Sequence, residues 1–249
     1  MNKLNDKQIA KKYNDTNVRV GCKDIWNAFM TEGASFGKYD IPLCPTTAKD
    51  IPKDMITWEE AREIHRKHIS KKEKNYFEDV YINWYIDDYK FDSSRGIWHD
   101  YTFALSVIKH FAGIITPDFS TYQDFPFSIK IYATYRMRTF GYWIGKHGIN
   151  VINNVRWGTA DSFEYCFEGI PQNSIISIGT VGGGPRKLID RDRFEFGLFK
   201  MVDILQPHTI LVYGSSIGKC FDILRNKGIK IVSYPSRTAR FYERGKHHE

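Results

Sequence analysis

The stretch from Gly113 to Gly158 restricts the fold of this chain more than any other. A short apolar run, Gly113 to Pro117, is followed by a polar turn, a long helical pattern and a second β-prone run, Asn150 to Arg156. Two strands joined through a helix of this length are almost always parallel, with a right-handed crossover. The stretch therefore predicts an α/β sheet that brings Asp118 and Trp157 to the same edge.

The rest of the chain continues this alternation of strands and helices. The further β-prone runs are Val80 to Tyr85, Ser174 to Thr180, His208 to Tyr213 and Ile229 to Val232. Together they predict about six mainly parallel strands, five of them joined to the next through a helix. An eight-stranded barrel needs two more strands, so we expect an open sheet or an incomplete barrel.

Three segments of one domain are predicted. Residues 1–75 form an N-terminal extension packed on the core, with a basic amphipathic helix that starts at the capping-box spacing of Thr57 and Glu60. Residues 76–236 form the α/β core, in which Ala160 to Phe167 is expected to be a short helix, and residues 237–249 form a polar basic tail. The extended segment Tyr39 to Pro45 is either an edge strand or a segment that lies across the core.

Composition restricts the partners and the compartment. With 42% hydrophobic residues in 249, the chain can bury a core, and a disordered protein is excluded. No apolar run approaches the length of a membrane span, no secretory signal is recognised, and the four cysteines are far apart, so we expect a cytoplasmic protein without a membrane partner. The net charge of +7 favours an anionic partner such as nucleic acid or a phosphorylated metabolite.

Ligands of parallel sheets bind at the carboxyl ends of the strands, so the residues at those ends are candidates for a site. They are Asp87, Asp88, Asp118, Ser120, Asn154, Trp157, Gly182, Gly183, Arg186, Tyr213 and Gly214. Asp87 or Asp88 together with Asp118 would suit Mg²⁺ or Mn²⁺. They would also suit a general acid/base pair, and the remaining alternative is that Asp88 and Asp118 only cap turns.

Two glycine-rich turns and the long helix carry candidate anion ligands. The backbone around Gly182 and Gly183 would surround an anion, with Arg186 as a clamp. The segment Tyr213 to Lys219 is one residue short of a phosphate loop and is followed by cysteine, which excludes a P-loop nucleoside triphosphatase but leaves a plain anion site. On the long helix the candidates are Tyr135, Arg136 and Arg138. A buried arginine there would be structural, whereas an exposed one would hold an anion.

The helix after Thr57 offers two weaker signals. Its polar face carries basic residues from Arg62 to Lys74, which would contact phosphates or simply face solvent. His65 and His68 are spaced to share a metal ion, but the sequence shows no third ligand.

Several motifs resemble a known family. They are Tyr85 to Phe91, Pro117 to Ser120 with Tyr122 and Pro126, Tyr135 to Arg138, Asn154 to Trp157, Phe167 to Pro171, and Tyr213-Gly214. Over about residues 35 to 235 the chain resembles uncharacterised bacterial and phage proteins known as domain of unknown function 4417. Asn153 departs from the family pattern, in which proline is expected. The resemblance implies a cytoplasmic protein of mobile-element origin and brings no activity or cofactor.

These observations lead to one main expectation and two alternatives. The main one is an enzyme acting on a nucleic-acid or nucleotide substrate at the strand ends, where Asp87, Asp88 and Asp118 supply metal or proton chemistry and Trp157 stacks on a base. The first alternative is a non-catalytic nucleic-acid-binding or host-interaction protein that uses the basic helix and the basic tail. The second is an enzyme of sugars or small metabolites at the same strand ends.

Overall fold

The computed structural model describes residues 24–181 and 188–246, which are organised around one parallel sheet. Its seven strands are β1 (Met55–Thr57), β2 (Glu78–Asn83), β3 (Phe111–Ile115), β4 (Asn150–Asn154), β5 (Ile175–Gly179), β6 (Thr209–Tyr213) and β7 (Lys230–Tyr234). Each strand pairs in parallel with its neighbours in sequence, so the spatial order is also one to seven. The α/β class is confirmed, and the count of seven corrects the predicted six.

The described ranges contain six α-helices and three 3₁₀ turns. The helices are α1 (Trp58–Ser70), α2 (Tyr101–Ile108), α3 (Phe127–Lys146), α4 (Leu188–Leu205), α5 (Lys219–Asn226) and α6 (Arg237–Lys246). α1 begins at the predicted capping box, in which the Thr57 hydroxyl accepts the Glu60 N–H. The segment predicted as a short helix from Ala160 is only a 3₁₀ turn, Ala160–Glu164.

Residues 237–246 of the segment predicted as a polar basic tail form α6. Arg240 donates to both carboxylate oxygens of Glu60, at 3.1 and 3.0 Å, and to the Met55 carbonyl at 3.1 Å. Arg237 donates to Glu59 at 3.3 Å. These contacts with β1 and α1 hold the basic segment in place, and they could not be read from its local composition.

The sheet is curled into an incomplete barrel, as expected from the strand count. One face packs on itself, because a single buried cluster takes side chains from all seven strands, among them Met55, Ile115, Leu211 and Tyr234. Buried clusters on the other face include the helices. In the described part of the chain β1 and β7 share no ladder, and the Tyr234 hydroxyl bridges the gap by donating to the Pro52 carbonyl at 2.6 Å.

The segment Tyr39 to Pro45 lies across the core and adds no strand to the sheet. Its Ile41 and Cys44 side chains are buried, and the Cys44 carbonyl accepts the side-chain amide of Asn153 at 2.8 Å. Asn153 is the position at which proline was expected, and here its side chain anchors this segment to β4. Within the described ranges no helix combines the length and the apolar character that a bilayer crossing requires.

Candidate functional site

A cavity of about 420 Å³ opens at the carboxyl ends of the strands. Its lining includes side chains that follow or end β2, β3 and β4, and also residues of α4 and α6. The ones that matter most for its chemistry are Tyr85, Asp118, Asn154, Arg156, Trp157 and Thr238. The predicted location of the site at this edge of the sheet therefore coincides with an open space large enough for a small ligand.

A chain of hydrogen bonds runs beneath this cavity. The Ser177 and Tyr85 hydroxyls lie 2.8 Å apart, and Tyr85 donates to the Asn154 side-chain carbonyl at 3.0 Å. The Asn154 amide donates to one oxygen of Asp118 at 2.8 Å, and Arg156 donates to the other at 2.7 Å. The chain links residues in or directly after β2, β3, β4 and β5, so it fixes the Asp118 carboxylate relative to four strands.

Burial controls the electrostatics of Asp118 and Arg156. The side chains are 15% and 29% exposed, respectively. Burial raises the pKa of Asp118 above its usual value, although the Arg156 charge and the Asn154 amide act in the opposite direction. Burial also acts against the charge of Arg156, but Asp118 and Asp88 outweigh it and the pKa of Arg156 is raised. Asp118 is therefore a carboxyl group whose proton affinity is increased at a cavity wall.

Asp87 and Asp88 have different environments. Asp88 accepts the Ser120 backbone N–H at 2.9 Å and the Ser120 hydroxyl at 2.8 Å, which ties the turn after β2 to the turn after β3. The Asp87 side chain is 70% exposed and lies 3.8 Å from the Lys90 ammonium. Asp88 therefore caps a turn, which was one of the alternatives for this residue. It also lines the cavity, together with Asp87, Asp118 and Ser120.

The structure does not strengthen the expectation of a metal ion. Across residues 24–181 and 188–246 no group of three or more His, Cys, Asp or Glu side chains is arranged to hold one. Both oxygens of Asp118 accept hydrogen bonds from Asn154 and Arg156. His65 and His68 have their own partners, since His65 bonds to the Tyr76 hydroxyl at 2.8 Å and His68 to Glu73 at 2.6 Å. Mg²⁺ or Mn²⁺ at Asp87 and Asp118 stays a prediction.

Trp157 lines the cavity, where the sequence predicted an aromatic wall. Its ring packs against Phe194, with centroids 5.5 Å apart, and against the backbone of Gly197 in α4. A Cβ atom at Gly197 would overlap the indole ring, so the glycine permits this close approach. The indole is thereby held in one position beside the Asp118–Arg156 pair.

The three candidates on α3 lie away from the cavity. Arg138 is fully buried and donates to the backbone carbonyls of Asn154, Cys166 and Glu168 at 3.0, 3.1 and 3.2 Å. Burial lowers its pKa to about 10. One guanidinium nitrogen of Arg136, Nη1, donates to both carboxylate oxygens of Asp92, at 2.7 and 2.9 Å. The Tyr135 hydroxyl donates to the Trp26 carbonyl at 3.0 Å. All three side chains are engaged in structural contacts.

Tyr213 and Gly214, at the end of β6, are also separate from the cavity lining. Tyr213 is buried and stacks on Tyr85, with ring centroids 5.5 Å apart, while its hydroxyl accepts the Arg237 N–H at 3.0 Å. The Gly214 N–H donates to the Tyr234 carbonyl at 2.8 Å. The remaining glycine-turn candidates, Gly182, Gly183 and Arg186, lie outside the described residues.

Several cavity residues were not selected from the sequence, among them Tyr85, Arg156, Lys90 and Thr238. Arg156 precedes Trp157 at the end of β4 and could have been chosen by the same strand-end rule. Lys90 follows Asp87 and Asp88 in a 3₁₀ turn, Asp88–Lys90, and its ammonium donates to Glu59 at 2.9 Å. Thr238 belongs to α6, and no local signal connects that helix to the strand ends.

Replacing Tyr85 by phenylalanine tests the hydrogen-bond chain. Tyr85→Phe keeps the aromatic ring stacked on Tyr213 but leaves the buried side-chain carbonyl of Asn154 without its donor. We therefore expect the free energy of unfolding to fall by about 1–2 kcal/mol. Urea denaturation measures the loss. Tyr89→Phe is the control, because the Tyr89 side chain is 73% exposed and should change stability little. Equal losses of stability in the two variants would contradict a stabilising role for the hydrogen-bond chain through Tyr85.

Comparison with known proteins identifies relatives of this chain. The family described as "Domain of unknown function (DUF4417)" matches residues 34–235. The chain is 32% identical over 198 residues to the "Gene 1 protein" of Mycobacterium phage L5, covering 79% of this chain and 80% of that protein. It is 31% identical over 198 residues to the "Gene 1 protein" of Mycobacterium phage D29, covering 79% and 68%. No solved structure matches.

Proposed function

Because the chain belongs to the family described as domain of unknown function DUF4417, we propose its function from the strand-end cavity alone. We propose an enzyme that binds a nucleotide or a nucleic-acid base in this cavity and transfers a proton through Asp118. The nucleotide reading is preferred over a sugar because an immobilised indole, Trp157, forms one wall.

The observation that carries the proposal is the environment of the Asp118 carboxyl group. It lines the cavity, is fixed through Asn154 and Arg156, and has a pKa that burial raises. A carboxyl group whose pKa is raised toward the working pH exchanges protons with substrate more readily than one that is fully ionised. Asn154 is itself buried, so it acts as a positioning residue that keeps the carboxyl oxygens of Asp118 in place during that exchange.

The balance of charge in the cavity supports a base as the group bound there. Its lining includes three carboxylates, Asp87, Asp88 and Asp118, against two cations, Lys90 and Arg156. Carboxylates accept hydrogen bonds from the exocyclic amino and ring N–H groups of bases but repel phosphate. A planar base stacked on Trp157 would place its edge toward these acceptors.

The test is turnover and binding of nucleosides and nucleotides by wild type and Asp118→Asn. We expect at least one base to bind by calorimetry, and chromatography of the products to show a 10²–10⁴-fold slower reaction in Asp118→Asn, with binding largely kept. Asp222→Asn is the matched control, because Asp222 pairs with Arg225 on the surface of α5, outside the cavity. Absence of any base binding, or wild-type turnover by Asp118→Asn, would exclude the proposal.

Mg²⁺ or Mn²⁺ is an optional part of this proposal. The exposed Asp87 carboxylate and Asp118 would be its ligands, with water completing the coordination. Calorimetric titration of the protein with each ion, repeated on Asp118→Ala, tests it. The metal is excluded if neither ion binds, or if the substitution leaves ion binding unchanged.

A second candidate is nucleic-acid binding without catalysis through the end of α1. Arg66, Lys67, Lys71 and Lys72 are all exposed there. Binding by such a face releases counterions, so its affinity would fall steeply with salt concentration. Neutralising Lys67, Lys71 and Lys72 together should then weaken binding to an oligonucleotide of any sequence. Unchanged binding would exclude this candidate.

A further inference from the structure

A second cavity, of about 480 Å³, lies beside the strand-end cavity. It is a groove between α1 and the segment that runs from the turn after β2 into α2, and we call it the α1 groove. Lys90 lines both this groove and the strand-end cavity, so the two spaces adjoin at that side chain. Trp58 and Phe103 form part of its apolar wall.

The lining of the α1 groove has more cationic than acidic side chains, whereas the lining of the strand-end cavity has more acidic than cationic ones. Its cations are Arg62, Lys90 and Arg95, and its acidic residues are Glu59 and Asp100. Both acidic side chains have partners, which reduces their repulsion of an anion. Asp100 caps α2 by accepting the Phe103 N–H at 3.2 Å, while Glu59 accepts from Lys90 at 2.9 Å and from Arg237 at 3.3 Å.

Two of the cations are available to a ligand. Within residues 24–181 and 188–246, neither Arg62 nor Arg95 forms an ion pair with a carboxylate, in contrast to Arg156 at the strand ends, which is held by Asp118. Arg95 is exposed and Arg62 half-buried. Guanidinium groups recognise phosphate through two parallel hydrogen bonds, so a groove that presents two of them favours phosphate over other anions.

We propose that the α1 groove binds the phosphate of a ligand whose base occupies the strand-end cavity. This inference rests on the proposed function for the position of the base, but the affinity of the groove for phosphate can be measured independently. Lys90 lies between the two subsites and contacts the ligand where base and phosphate are joined through the sugar. The substrate class is therefore a nucleoside phosphate or a nucleic-acid strand, and not a free nucleoside.

Inorganic pyrophosphate tests the groove without a base. We expect calorimetry at low salt to detect pyrophosphate binding, and Arg62→Gln with Arg95→Gln to weaken it at least tenfold. Arg66→Gln is the matched control, because Arg66 lies on the same helix and outside the groove lining. No pyrophosphate binding, or equal binding by the double variant and the control, would overturn the inference.

Paired titrations with a nucleoside and its monophosphate separate this inference from the proposed function. We expect the monophosphate to bind at least tenfold more tightly, and the difference to disappear in the Arg62→Gln, Arg95→Gln variant while nucleoside affinity is kept. Equal affinities in wild type would overturn the phosphate subsite and leave the base site standing. Pyrophosphate binding that depends on Arg62 and Arg95, without binding of any nucleoside or nucleotide, would support an anion groove and reject the proposed base site.

Discussion

Arg138→Met is expected to lower the free energy of unfolding by roughly 3–5 kcal/mol. The guanidinium of Arg138 is fully buried and is the donor to three backbone carbonyls, those of Asn154, Cys166 and Glu168. Methionine fills a similar volume but leaves these buried acceptors without their donor, at about 1–3 kcal/mol each. Removal of a buried charge offsets part of this loss, which is why the expected effect is smaller than the sum.

Equilibrium denaturation by urea measures the Arg138 effect, with Arg66→Met as the control. Arg66 is exposed on α1, so its replacement should change stability by less than about 0.5 kcal/mol. The contacts of Arg138 join the end of β4 to the segment before β5, so the variant should also broaden amide signals near Asn154 and Cys166. Equal stability of the two variants would show that the carbonyls find other donors.

Arg156→Met is expected to destabilise the protein by roughly 3 kcal/mol at neutral pH, with a loss that becomes smaller in acid. Without Arg156, the Asp118 carboxylate is left mostly buried and lacks its counter-charge. Burial already raises the pKa of Asp118 in the folded protein, and removal of Arg156 raises this pKa further. A group with a raised folded-state pKa contributes most stability below its unfolded pKa and loses that contribution as the pH rises through the folded pKa.

The measurement for Arg156→Met is the free energy of unfolding between pH 4 and pH 8, compared with wild type at each pH. We expect the difference to shrink toward pH 4 as Asp118 takes up a proton. Lys53→Met breaks an exposed pair, Lys53–Asp79, and should change stability little at any pH. A difference between Arg156→Met and wild type that stays constant with pH would show that Asp118 is not the group responsible.

The fold was largely predictable because its strands and helices follow each other with clear periodicity. The unit from Gly113 to Gly158 forms β3, α3 and β4 as expected. β1 was missed because three residues, the last of which is the N-cap of α1, cannot show a two-residue period. α6 was missed because it is held by Glu59 and Glu60, which lie far away in sequence.

The site was predictable only as far as it depends on strand ends. Asp118, Asn154 and Trp157 line one cavity because parallel strands bring their carboxyl ends to the same edge. The direction of the α3 side chains was not predictable in the same way. Arg136 pairs with Asp92, and Arg138 donates to backbone carbonyls of β4 and of the segment before β5. Those partners depend on tertiary packing that no spacing encodes.

The consecutive order of the seven strands has a consequence for synthesis of the protein. Each strand pairs with the one made just before it, so the sheet can grow step by step as the chain leaves the ribosome. The contacts that join its two edges, Tyr234 with Pro52 and Arg240 with Glu60, come last because their partners lie 182 and 180 residues apart in sequence. Because α6 also supplies Thr238 to the cavity, we expect the nascent chain to bind ligand only after this helix has been made.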